Sequence, residues 1–137
     1  MSTHRGTHVA AGGVLGGLTG VTLTLLTQRQ RMTVAGRGLA TAAGAYVLAR
    51  RFQGTSRPEL KREVGALAAA SSLAMLAARM PDFPARATLA AGWVAHAGFD
   101  LTHRRGDDSL VPDWYPPLCV GFDVALAATL LASDRTT

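Results

Sequence analysis

Residues 9–27 read VAAGGVLGGLTGVTLTLLT, a run of about 19 residues without a charge, and their reading decides the fold. An α-helix rises about 1.5 Å per residue, so such a run is long enough to cross a hydrocarbon core of about 30 Å. Gly12, Gly16 and Gly20 recur every fourth residue, with Gly13 and Gly17 beside them. In water this is a poor helix, because each glycine costs about 1 kcal/mol relative to alanine. In lipid the same glycines form a ridge against which another helix packs closely. The run ends in Thr27, Gln28 and Arg29, without the small-residue pattern of a signal-peptide cleavage site, and is read as a retained span.

Outward from it, four further apolar blocks follow, near Val34–Ala49, Val64–Met80, Ala85–His103 and Leu118–Ala132. Arg50 and Arg51 stop the second block, and Gln53–Pro58 reads as a polar loop. Pro81 and Pro84 enclose a tight connection, and Arg104–Asp113 is a charged loop. Trp114, Tyr115, Pro116 and Pro117 read as an interfacial anchor, since each aromatic ring has an apolar body and a polar tip. The expected fold is all-α: a polytopic membrane helix bundle of about five short transmembrane helices, one integral membrane domain over residues 1–137. The spans after the first are short and need local thinning or snorkelling arginines; four spans plus a re-entrant segment is the rival count. A mean hydropathy of +0.18 is low for such a protein and leaves a water-soluble bundle as the alternative.

The net charge of +5 does not point to nucleic acid, because the arginines cluster at block ends instead of lining one face. One side collects Arg5, Arg50, Arg51, Arg57, Lys61, Arg62, Arg104 and Arg105; the other has Arg29, Arg31, Arg79, Arg86 and Arg135. That bias predicts a multi-pass cell-membrane protein with a cytoplasmic N-terminus. The expected partners are the lipid bilayer and a lipophilic small molecule, with Gly12, Gly16 and Gly20 offered to a second copy or another membrane protein. A single cysteine, Cys119, excludes an intramolecular disulfide and a multi-cysteine zinc ribbon.

Chemistry concentrates between Trp93 and Asp123. At about 100° per residue, His96, Asp100 and His103 point within about 60° of one another, and Cys119 and Asp123 follow on the next helix. Ionisable groups inside a membrane are costly and mark a functional site by default. Three readings follow. His96, Asp100, His103 and Asp123 can act as general acids and bases on a lipophilic substrate, a buried carboxylate holding an imidazole in one tautomer. Alternatively the protein handles a metal or protons: His96, Asp100, His103 and Cys119 ligate a transition metal such as zinc, or the histidine and aspartate pass protons as a transporter does. The third reading is that these groups only join helices by hydrogen bonds, as in an accessory subunit of a larger complex. Arg37 is either a snorkelling charge or the counter-ion of Asp100 or Asp123, and Tyr46 packs near the site or bonds into it. No nucleophile elbow, phosphate-cradling loop or dinucleotide fingerprint is present, so an enzymatic role is left open.

Trp93, His96, Phe99-Asp100, His103, the loop Leu110-Val111-Pro112, Cys119 and Asp123 together resemble the signature of a family of small bacterial integral membrane proteins of unknown function. The resemblance covers about the last third of the chain, with Gly44 to Tyr46 as a weaker upstream echo. It implies a multi-span membrane protein and brings no reaction with it. Arg104 stands where the family has a second histidine, and Phe122 where it sometimes has a second cysteine. Both departures remove potential ligands and weaken the metal reading more than the acid/base one.

Overall fold

The structure is a computed structural model that describes residues 2–50, 57–103 and 111–133. Within them the chain forms five helices and no strand: α1 (Ser2–Thr24), α2 (Gln28–Arg50), α3 (Arg57–Ala77), α4 (Asp82–Thr102) and α5 (Tyr115–Ala132). Residues 53–56 of the expected polar loop, most of the charged loop before Asp113, and Arg51, Arg104, Arg105 and Arg135 lie outside the described residues.

Five helices match the number of apolar blocks, but several begin earlier than hydropathy suggests, and local chemistry explains why. Thr27 precedes α2 as its cap: its backbone N–H and its hydroxyl both donate to Gln30 Oε1, at 3.1 and 2.9 Å, which is the Gln-to-cap half of a capping box. Arg31 then reaches back to the exposed carbonyls at the end of α1, donating to Leu23 O at 3.0 Å and Thr24 O at 3.1 Å. Charges that read as a block boundary are therefore inside α2. Pro58 in α3, Pro84 in α4 and Pro116 and Pro117 in α5 sit in first turns, where a missing N–H costs nothing.

Helix α5 packs between α1 and α4, and α2 and α3 pack on each other and on α4. The α1–α5 contact is a backbone seam. A Cβ placed on Gly12 meets the Leu118 carbonyl, on Gly16 the Phe122 carbonyl, and on Gly121 the Val9 carbonyl, while Gly20 faces the Thr129 side chain. Gly12 to Leu118 and Gly20 to Thr129 run in the same direction, so α1 and α5 are parallel. The glycine ridge offered to a second copy or partner is thus filled by this chain's own α5. The remaining core is built from Leu39, Leu89, Leu126, Leu130 and Trp93 with alanines between them, small residues that let the helices approach.

One described helix, Tyr115–Ala132, is long and apolar enough to cross a membrane by length and composition. The expectation of five such spans is corrected to one. The physical reason is composition: α1 ends at Thr24 and spreads its apolar residues among glycines and threonines, α2 and α3 carry charges in their opening turns, and α4 carries Asp82, Arg86, His96 and Asp100, which dilute their apolar character. The outward faces are nonetheless apolar: Val14 is 63% exposed, Leu18 61% and Leu25 84%.

Candidate functional site

The C-terminal halves of α2 and α4 meet the N-terminal halves of α3 and α5 at one end of the bundle, and the polar side chains gather there in two levels. The deeper level lies between α4 and α5. His96 Nδ1 is 2.9 Å from Asp123 Oδ2 and 3.6 Å from Asp100 Oδ2. The Tyr46 hydroxyl on α2 donates to Asp100 Oδ1 at 2.8 Å. Asp123 is 1% exposed, and His96 and Asp100 are buried beside it. Trp93 closes the inner side, its ring 6.5 Å from that of His96 and 5.8 Å from that of Phe122. The other ring nitrogen of His96, Nε2, has no partner within hydrogen-bonding geometry.

The outer level centres on Glu63 of α3, which is 1% exposed. Its Oε1 accepts from Arg50 Nε at 2.6 Å and lies 2.7 Å from His103 Nε2, so one carboxylate ties the ends of α2 and α4 to the start of α3. Arg62 donates to Thr102 at 2.8 Å beside it. Burial, reinforced by Arg50 and Arg62, pulls the His103 imidazole below its ordinary pKa despite the opposing pull of Glu63. The ring is then neutral and donates Nε2–H to the carboxylate. Phe99 separates the two levels, with its ring 4.7 Å from that of His103 and 6.3 Å from that of His96. Tyr46 spans both, bonded to Asp100 through its hydroxyl and set edge-on against His103 at 4.9 Å.

The structure brings together four of the residues singled out from sequence, namely His96, Asp100, Asp123 and Tyr46, with Trp93 as a wall. It separates the others. His103 points the same way as His96 but belongs to the outer level, because seven residues also carry it about 10 Å along the helix. Cys119 is a half-buried free thiol that hydrogen-bonds Tyr115, not a member of the histidine cluster. The four-ligand set His96, Asp100, His103 and Cys119 is therefore corrected: the ligand-type atoms that converge are those of His96, Asp100 and Asp123, all within 4.8 Å of one another. Arg37 is exposed on α2, and Asp100 and Asp123 bond to Tyr46 and His96 instead of to it.

Sequence reasoning missed Glu63, since the third block was taken to begin at Val64. The available signal was the carboxylate nearest the alanine-rich part of the helix, one turn after Glu59. A cavity of about 500 Å³ lies at the opposite end of the bundle, lined by Gln28, Arg29, Met32, Met80 and Ala85, and does not reach His96. Comparison with known proteins gives no match: no family model, curated protein or solved structure resembles the chain. The resemblance of residues 93–123 stands on those residues alone.

Proposed function

We propose that this chain is a membrane protein whose bundle is held in a bilayer, with a buried acid/base centre that acts on a lipophilic substrate. The observation that carries the reading is the 2.9 Å contact of Asp123 with His96 Nδ1 in the helix interior, with Nε2 unpartnered. A carboxylate that orients one imidazole nitrogen leaves the other to take or give a proton, and Asp100 with Tyr46 supplies a second proton-bearing pair within reach.

Lipid is the solvent that fits the outer surface. Val14, Leu15, Leu18 and Val21 on α1, Leu25 in the turn after it, Met75 and Leu76 on α3, Val94 and Leu101 on α4, and Val124 and Leu131 on α5 all face outward. Patches this extensive are rare on a protein bathed in water. The sequence count of eight basic residues at the end that holds the centre against five at the other supports a cytoplasmic placement of that end and of the N-terminus. An enzyme is favoured over a transporter because Trp93, Leu89, Leu126 and Leu130 stand between the centre and the buried Arg86–Asp82 pair at the other end. A transporter needs a polar route to both faces.

The test is comparative lipid analysis of cells expressing the wild-type chain or His96→Ala, with both proteins verified as membrane-inserted by resistance to carbonate extraction. A lipophilic compound whose level changes with the wild type alone supports the reading. Identical lipid profiles, or recovery of the wild-type chain in the soluble fraction, reject it.

A further inference from the structure

Two carboxylates and one imidazole occupy the deep level, and the nearby buried cations are spoken for elsewhere: Arg50 pairs with Glu63, and Arg86 with Asp82 towards the other end. Asp100 is 95% buried, since it is 5% exposed, and its Oδ2 has no hydrogen-bond partner while standing 3.6 Å from His96 Nδ1. A buried carboxylate oxygen without a donor is costly and calls for a positive charge at that point. The converging atoms are one nitrogen and two oxygens from α4 and α5, within 4.8 Å of one another. Metal–ligand bonds of about 2.0–2.2 Å place such atoms roughly 3 to 3.5 Å apart, so small side-chain adjustments close the set.

We infer that His96, Asp100 and Asp123 form a binding site for one divalent transition metal of the zinc, manganese or iron(II) class. The inference rests on the reading of this cluster as the functional centre and adds its cofactor. One nitrogen and two hard oxygens suit those ions and disfavour copper(I), which prefers thiolates and thioethers. Three protein ligands leave a coordination position open, the pattern of a catalytic and not a structural site. A divalent ion offsets both carboxylates while leaving the imidazole neutral. The surroundings match what a metal ligand needs from its neighbours: the Tyr46 hydroxyl fixes Asp100 through its other oxygen. Cys119 and His103 lie outside the set.

The experiment uses the full chain purified from membranes in mild detergent without chelator. Elemental analysis is followed by chelator stripping and titration with zinc(II), manganese(II) and cobalt(II), the last read by its visible absorption. The expected result is one metal per chain, a cobalt spectrum typical of nitrogen and oxygen ligands, and at least a tenfold loss of affinity in Asp123→Asn and His96→Ala. Tyr46→Phe, which keeps all three ligands, weakens binding by about 10-fold to 100-fold. Cys119→Ser and His103→Gln bind as the wild type does. The inference is overturned if none of the three ions binds stoichiometrically, if Asp123→Asn and Tyr46→Phe both bind normally, or if Cys119→Ser abolishes binding. Lipid changes that depend on His96 in a protein that takes no metal leave the acid/base centre standing and remove the metal. Metal binding without lipid changes does the reverse.

Discussion

Helix α5 has two faces, and they are built on opposite principles. Towards α1 it offers backbone: Leu118, Phe122 and Gly121 meet Gly12, Gly16 and Val9 with almost nothing between the chains. Towards α4 it offers Asp123, and that side is organised around charged and hydrogen-bonding groups. The first face works by the absence of side chains and tolerates no addition. The second works by complementary groups and tolerates a change of shape better than the loss of a partner. One helix can serve both because the two faces obey different rules, dispersion at close range on one side and electrostatics on the other.

Breaking the seam gives the largest expected effect. In Gly16→Ala or Gly121→Ala the new methyl meets a carbonyl oxygen of the backbone, which cannot rotate away. The loss should reach the upper end of ordinary overpacking, about 3 kcal/mol, read by thermal unfolding in detergent. Gly17→Ala meets nothing within 4 Å and should leave the melting temperature unchanged or higher. Equal losses at Gly16 and Gly17 would mean that α1 does not pack on α5 as described.

On the polar side, Glu63→Ala removes the shared acceptor of Arg50 and His103 and should cost about 2 kcal/mol, less than the seam variants because Arg50 keeps other neighbours. Glu63→Gln, which keeps the shape, should recover part of that loss in the same melt. Full recovery would reduce the pairing to packing. The smallest effect concerns acidity. His103 is held below its ordinary pKa when folded, so in the window beneath about pH 6.5 the unfolded chain binds the extra proton. Its contribution to stability is complete above that window and declines as the pH falls through it. The wild type should therefore lose melting temperature on mild acidification more steeply than His103→Gln; parallel curves would place the pH response elsewhere.

The polar stripe of α4 was legible in angle but not in depth. Helical periodicity places His96, Asp100 and His103 on one side and says nothing of what stands opposite each turn. Asp123 answers His96, Tyr46 answers Asp100, and Glu63 answers His103. The glycine ridge was legible as a packing surface, though not its occupant, because no local feature of residues 9–27 encodes a partner some hundred positions later. Hydropathy also hid the start of α2, where Thr27 and Gln30 carry a capping signal that an average over apolar residues erases. Arg37 misled for a related reason: a charge in an apolar block was matched to the carboxylates by sign, but its side of α2 turns outward.

The seam between α1 and α5 also has a bearing on the order of synthesis. The earlier helix meets α2 only near the short turn, where Arg31 ties the two. Its own glycine face must wait until α5 leaves the ribosome, so α1 and α5 zip up last and their contact is one of high sequence separation. A nascent chain stalled before α5 would hold a naked groove of backbone, a natural handle for an insertase or a quality-control protease that grips unfinished helices.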